Sequence, residues 1–531
     1  MVYGYRLSEQ DMPVIGPIKD GVVIKQTRIE PTPNLRPPVK ISLGCHIQGT
    51  SLPHVDPTDV DTVIAGVKKR FACKPPTAEA ALLERMKTFT LLWCIQHLVP
   101  LPSDCDLDLN TWLESTGYSR ARKDELIRKW ANCGGVLQDR DYIVKSFVKD
   151  ESYPEFKHAR WINARSDEFK CAVGPTFKAI EQSVFKSDWF IKKIPVKDRA
   201  SYIHKRVYRT GARYVCTDYT AFESHFTAEL FEACEFVMYK YMTQYLPSST
   251  LFRFYLDKVI AGDNKCVSKL VKVTVPATRM SGEMCTSLGN GFSNLMFMLY
   301  LCDLKGCTNV IGVVEGDDGL FVMDGPHPTE NDFKRIGLTI KMVVVDDLTK
   351  ASFCGLIFDD TDLINVADPM KIIAQTGFTT HEYTLSKSKV LRGLLKAKAF
   401  SLAYQYPGCP IICSFSRYLL RVLADDYVYF RKGHSDYTDL LQREAFTFWL
   451  KHADVLSVEP GVRTRILMET QFGISLADQL SIERYFDELN AVVELQDPIL
   501  LSHIPLIWRN YANVYMMQVP LDSLLIRVWF D

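Results

Sequence analysis

Apolar and polar positions along the chain change period several times, and each change predicts an element. Helical spacing begins near Asp59 and is clearer from Ala78 to His97 (AEAALLERMKTFTLLWCIQH). RYVCTDYTAF, Arg213 to Phe222, is an apolar run that ends on a carboxylate. It predicts a strand giving way to a helix near Phe226 to Gln244. Met284 to Leu304 (MCTSLGNGFSNLMFMLYLCDL) is apolar on nearly every face, the mark of a buried helix. In VVEGDDGLFV, Val313 to Val322, two apolar runs flank Gly-Asp-Asp-Gly, which predicts a hairpin. After Asp362 the pattern turns mostly helical, with basic and aromatic positions interleaved, as in SRYLLRVLADDYVYFRK. Residues up to about Pro53 are rich in Pro and Gly with short extended pieces such as GVVIKQTRI. They read as a wrapping arm, or as the end of something upstream. No repeat, low-complexity tract or long Gly/Ser linker interrupts the chain, so the expectation is one compact α+β body with lobes.

Composition narrows the class only a little. The 531 residues are 47% hydrophobic and 24% charged, an ordinary globular balance long enough for roughly three folding units. The formal net charge is zero, so global charge selects no partner. Lys145 to Arg213 is different: sixteen Lys and Arg stand against eight Asp and Glu, a count that suits a path for phosphates. Fifteen cysteines without a CxxC pair fit free thiols in a reducing compartment better than a disulfide framework or a zinc site. MVYGYRLSEQDMP does not have the form of a signal peptide. The longest apolar stretches, such as Leu295 to Cys302, fall far short of the roughly 20 residues that span a bilayer, so no intrinsic membrane span is expected.

Four pieces carry candidate chemistry. FVKDESYPEFKHARWINAR offers Lys149, Lys157, Arg160 and Arg165 on an extended, turned segment. Cations so spaced suit a triphosphate, and Arg binds phosphate bidentately. Asp218, in CTDYTAFES, ends an apolar strand, where a carboxylate is exposed yet rigidly placed. In RMSGEMCTSLGN, Ser281 and Gly282 form a turn ahead of a helix, and Thr286 and Asn290 lie four residues apart on one face. Such a pair could bond two helices or present a donor and an acceptor to a ribose hydroxyl. Gly289 and Gly291 each cost that helix about 1 kcal/mol relative to Ala, so something is expected to approach the backbone closely. The fourth piece is the hairpin with Asp317 and Asp318. Taken alone it is a turn, and Asp346–Asp347, Asp359–Asp360 and Asp425–Asp426 show that Asp pairs are common here.

The order of these pieces resembles the viral RNA-dependent RNA polymerases. The similarity is best to the tombusvirus-like group of positive-strand RNA viruses, and covers about residues 110 to 360 by motif. FVKDE with Lys157, Arg160 and Arg165, RMSGEMCTSLGN, EGDDG and SFCG carry it, with STGYSRARKDELIRKW less specifically. The resemblance implies a right-hand polymerase fold with an antiparallel palm sheet flanked by helices. It divides into an N-terminal arm (1–55), fingers (56–200), palm (201–362, with a fingers insertion about 245–275) and thumb (363–531). It implies a nucleotidyltransferase that adds nucleoside monophosphates from NTPs to an RNA 3′-hydroxyl by a two-metal mechanism. Asp218, Asp317 and Asp318 would be the metal ligands, for Mg²⁺ with Mn²⁺ as the alternative ion. Arg160, supported by Lys149, Lys157 and Arg165, would hold the triphosphate, while Ser281, Thr286 and Asn290 check the ribose with Glu223. Glu223 departs from the Asp that many relatives have at this place. A general acid is expected from Lys341 or Lys350, Lys341 being preferred, and SFCG (Ser352 to Gly355) resembles a hairpin at the base of the thumb.

The implied partners are RNA template and product, NTPs and other viral replication proteins. The implied location is host cytoplasm, in membrane-associated replication complexes through another factor. Two alternatives stay open: a reverse transcriptase, against which the Thr286/Asn290 pair speaks, and a non-catalytic polymerase-like RNA-binding protein, against which the three carboxylates speak. Three aspartates converging from two strands repel one another without a cation, so the metal-free pocket is expected to be strained.

Overall fold

The computed structural model describes residues 1–27, 36–430, 445–448 and 458–517. Three sheets organise it, with helices packed around them. The central sheet is antiparallel, in the spatial order Ile340–Val345, Tyr214–Tyr219, Asp318–Asp324, Thr308–Glu315. The predicted strand, hairpin and helix all appear. Helices follow the strand at Ala228–Ala233 and Glu235–Met242, after a short 3₁₀ turn at Phe222–His225.

Strand alternation gives this sheet two faces. Val215, Tyr219 and Phe321 pack on one face with the long helix Thr286–Lys305. Fourteen of that helix's twenty residues are buried, which is why its sequence is apolar all round. It ends in a left-handed Gly306 (φ 71°), with Cys307 N–H bonded back to Cys302 O at 2.9 Å, a turn that delivers the chain into the first hairpin strand. The other face, with Tyr214, Cys216, Leu320 and Val322, packs on helix Arg199–Val207 and on residues 348–358.

A second, five-stranded sheet runs Val23–Gln26, Val271–Val275, Asn264–Val267, Val144–Val148, Trp161–Arg165. Residues 264–275 thus leave the helical region before them and pair into the sheet that carries the basic segment. The third sheet joins Val2–Tyr3 and Pro38–Ser42 of the N-terminal arm to Phe378–Thr380.

The arm therefore does more than wrap. Its strand 23–26 edges the five-stranded sheet, while Ile41, Leu43, Cys45, Ile47 and Leu52 are buried in the C-terminal helical core. That core is formed by helices Ser388–Gln405, Ile412–Val422, Val462–Phe472, Leu476–Glu488 and Leu506–Tyr515, as the post-362 pattern predicts. Part of this stretch, 431–444, 449–457 and 518–531, lies outside the described residues, so the helical expectation is not addressed there. Among the described residues no helix is long and apolar enough to cross a membrane, and all fifteen cysteines are free.

Candidate active site

The Gly-Asp-Asp stretch closes a two-residue hairpin: Glu315 pairs with Asp318, and Gly316–Asp317 form the turn. Gly316 sits at φ 60°, the left-handed value that the first central position of a type II′ turn reserves for glycine. Asp317 is thereby thrust out at the tip. The neighbouring strand supplies Asp218. Its Thr217 faces Gly319, and carrying that register one residue further sets Asp218 against Asp318. On its other side Asp218 pairs with Lys341. Opposed residues of antiparallel neighbours share a face. Lys341, Asp218, Asp318 and Glu315 therefore form one charged row across four strands.

Glu315 at the end of the row is neutralised by Arg199 at 2.6 Å and Lys192 at 3.4 Å. The aspartates have no such partner among the described ion pairs. Burial, then the charge of Glu223 and less strongly that of Asp218, raises the Asp317 carboxyl from 3.8 to about 6, although Arg160 pulls the other way. Burial followed by the charges of Asp317 and Asp218 raises Asp318 to about 7. Asp317 and Asp318 thus resist ionisation, first because they are buried and then because negative side chains surround them.

Among the described residues, no three His, Cys, Asp or Glu side chains are gathered closely enough to hold a metal by themselves. The donor set still suits a hard divalent cation. Such ions take one or two carboxylates and complete their shell with water and phosphate oxygens, so a fully protein-made cage is not required.

The cationic side of the site is a separate hairpin. Strand 144–148 leads into the loop from Lys149 to Arg160, and strand 161–165 returns. A cavity of about 140 Å³ beside it is lined by Arg70, Phe71, Lys149, Arg160, Trp161, Ile162, Asn163, Glu223 and Ser281. Four predicted residues from three distant stretches thus meet at one cavity. Arg160 is held protonated: burial opposes its charge, but Glu151, Tyr153, Glu223 and Asp317 outweigh that cost. The same couplings join the cavity to the aspartate row. In this state Glu151 engages both Lys149 (2.9 Å) and Arg160 (3.3 Å).

Two predicted phosphate ligands stand elsewhere. Arg165 is 2% exposed, and its guanidinium is spent on Glu283, Asn264 and the Tyr142 carbonyl. It ties the basic hairpin to the Ser-Gly turn and presents no charge to the cavity. Lys157 is turned outward onto Glu155 at 3.1 Å. The cause in both cases is strand alternation and loop direction, which a count of cations does not reveal.

The Ser-Gly turn lies against the basic hairpin, with Ser281 Oγ donating to Trp161 O (2.8 Å) and Gly282 N–H to Asn163 O (3.0 Å). Thr286 Oγ1 donates back to Met280 O and Glu283 O, so its proton is committed to holding that turn. Asn290 is buried with Oδ1 lacking a partner, an open acceptor on the helix face that leads to the hairpin. Beneath Gly289 lies a fully buried Arg279–Glu235 pair, and an added Cβ would meet Glu235 Oε2 and Arg279 Nη2. What approaches the helix backbone there is an internal ion pair rather than a ligand. At Gly291 the neighbours, Phe190 and Gly316 N, stand at ordinary contact distance, 3.5 and 3.6 Å.

The sequence reading also missed residues. Asn294 Nδ2 donates to Gly316 O (3.2 Å) and Asp318 O (3.0 Å), and its Oδ1 accepts from Tyr219 Oη (3.3 Å). One side chain thus fixes both ends of the aspartate turn to the helix. The available signal was spacing: 286, 290 and 294 continue one helical face. Arg70, a cation at a helix end, and Asn163 reach the cavity with no sequence signal of their own.

Lys350 pairs with Asp346 (3.0 Å), which leaves Lys341 as the lysine in the row. The SFCG turn is a tight hairpin, with Cys354 at φ 54° and Gly355 at φ 74°, and the Cys354 thiol bonds to Asp318. The other Asp pairs have structural duties: Asp347 caps a 3₁₀ turn, Asp359 closes a turn onto Thr361 N–H and Asp362 N–H, and Asp426 pairs with Arg392.

A protein of Groundnut rosette virus (strain MC1) named RNA-directed RNA polymerase is 22% identical over 497 residues, covering 88% of this chain and 56% of that protein. One of Oat chlorotic stunt virus (isolate United Kingdom), with the same name, is 25% identical over 270 residues, covering 48% of this chain and 35% of its own length. The chain thus spans about half, or less, of the length of these relatives. The model of the viral RNA-dependent RNA polymerase family matches residues 105–494, well over half of the sequence, and the chain belongs to that family.

Proposed function

We propose that this chain is the polymerase body of a viral replicase, copying an RNA template by joining NTPs to an RNA 3′-hydroxyl. The observation that carries this reading is the row Lys341–Asp218–Asp318 with Asp317 at its tip, electrostatically coupled to Arg160 and Glu223 at the cavity. In this reading residues 56–200 are fingers, 201–362 palm with the 245–275 insertion, and 363–531 thumb, the arm 1–55 tying fingers to thumb.

Asp218 and Asp317, with Asp318 beside them, would hold Mg²⁺. The ion supplies positive charge for the reacting phosphoryl group and lowers the pKa of the attacking hydroxyl. Arg160, Lys149 and Arg70 draw the triphosphate into the cavity and offset its charge. Glu151 leaves Lys149 and Arg160 as phosphate oxygens arrive. Glu223, Ser281 and Asn290 orient the ribose, the last through its open Oδ1. Lys341 gives its proton to the departing pyrophosphate. The replicase works in host cytoplasm, in membrane-associated complexes whose anchor is another factor.

The test is extension, primed and unprimed, of a defined RNA with Mg²⁺, wild type against Asp317→Asn. The expected result is ribonucleotide incorporation by wild type alone, with RNA binding equal in both. Incorporation of dNTPs in preference to rNTPs would make the enzyme a reverse transcriptase, and RNA binding without any synthesis would leave a non-catalytic protein.

A further inference from the structure

The loop from Lys149 to Arg160 is closed at its base by Lys149 N–H to Arg160 O, 2.8 Å. Between these residues it has almost no regular structure, so its backbone groups must find partners elsewhere. The partners come from both ends of the chain. Tyr5 Oη accepts Lys157 N–H at 3.0 Å and donates to Lys157 O. Trp508 Nε1 donates to Pro154 O at 2.8 Å. Tyr153 N–H donates to Pro53 O at 2.9 Å, and Lys40 Nζ donates to Ser152 Oγ at 2.9 Å.

The two aromatic partners are buried. Tyr5 and Trp508 are 1% and 2% exposed, and Tyr5 is packed edge-on against Phe156 of the loop (4.9 Å) and Tyr511 of helix Leu506–Tyr515 (6.3 Å). Lys149 and Arg160, by contrast, have side chains 40% and 44% exposed, and Glu151 pairs with both of them. Long cationic side chains of this kind are placed by the backbone that carries them.

We infer that Tyr5 and Trp508 are positioning residues for the nucleotide clamp: an N-terminal and a C-terminal side chain that jointly set where Lys149 and Arg160 meet the triphosphate. Neither touches nucleotide. The inference rests on the polymerase reading above. Its consequence is that helix Leu506–Tyr515, distant in sequence, tunes nucleotide affinity.

The test uses the full chain and compares Tyr5→Phe and Trp508→Phe, which keep an aromatic ring and remove the polar atom, with Tyr418→Phe. Tyr418 Oη donates to Ala491 O (2.8 Å) within the C-terminal helices, and serves as a control of similar structural cost. Steady-state extension is expected to show KM for NTP raised about 3- to 10-fold in Trp508→Phe, the effect of one hydrogen bond, and at least as much in Tyr5→Phe, which loses two, with kcat held. Tyr418→Phe leaves KM unchanged. In an Arg160→Ala background, Tyr5→Phe adds no further rise. Unchanged KM in both variants, a fall in kcat alone as a merely structural loss would give, or additive effects with Arg160→Ala would each overturn the inference while leaving the polymerase reading intact. No RNA synthesis by wild type would overturn both.

Discussion

Asp318 offers the sharpest physical test, because its environment opposes the charge that the proposed metal binding would need. In the metal-free protein its carboxyl stands at about 7 against an ordinary 3.8. At about 1.4 kcal/mol per decade that gap is worth about 4 kcal/mol. The folded state holds this proton more tightly than the unfolded chain. The stabilisation is therefore complete below about pH 4 and is lost as pH rises through about 7. Between pH 5 and 8 roughly two-thirds of the gap is expressed. Asp318 is only partly buried, and solvent screening halves the figure again, leaving about 1.5 kcal/mol. For a chain of 531 residues unfolding as a unit this is about 1.5 °C in Tm, and more if the central sheet unfolds separately.

The assay is thermal denaturation in chelator from pH 5 to 8, wild type against Asp318→Asn. Wild type should lose stability relative to the variant as pH rises, and millimolar Mg²⁺ should recover more for wild type than for the variant. The difference between the two proteins is the quantity to read. Lys19 and Lys40, which burial lowers to about 7, add stability above that pH with the opposite sign, but equally in both. Parallel curves for wild type and variant in chelator would refute the reasoning, because the aspartates would then not be crowded.

Other residues give separable expectations. Asn294→Leu leaves Gly316 O, Asp318 O and Tyr219 Oη without their partner; synthesis should fall at least about tenfold and stability by about 2–4 kcal/mol, read by extension and denaturant melts. Gly289→Ala should gain about 1 kcal/mol of helix propensity yet lose more than that overall, since its Cβ meets the buried Arg279–Glu235 pair; a net rise in Tm would contradict the packing. Arg160→Ala should raise NTP KM with little loss of stability, whereas Arg165→Ala, stranding buried Glu283, should cost about 3–5 kcal/mol, so that melting and kinetics rank the two arginines oppositely.

The sequence alone determined the local chemistry. The hairpin, the Asp-ended strand and the buried helix follow from short periodic patterns and turn residues, which depend on nearest neighbours and survive any packing. The grouping of Asp218, Asp317 and Asp318 came instead from the family resemblance, and the strand register sets Asp218 against Asp318 with Asp317 in the turn beside them. The sequence did not decide which cations face the cavity. Arg160 and Arg165 look alike in the string, but their positions on the hairpin send one to the cavity and the other into a buried ion pair. Nor could it show that Gly289 makes room for Arg279, or that Asn294 holds the turn, since these contacts join residues 10 to 24 positions apart. The seat of the clamp is the extreme case, with Tyr5 and Trp508 converging on one loop. Local pattern fixes what a segment can form. Only tertiary packing decides which of its side chains meet, because those choices are settled by burial and hydrogen-bond completion across the whole chain.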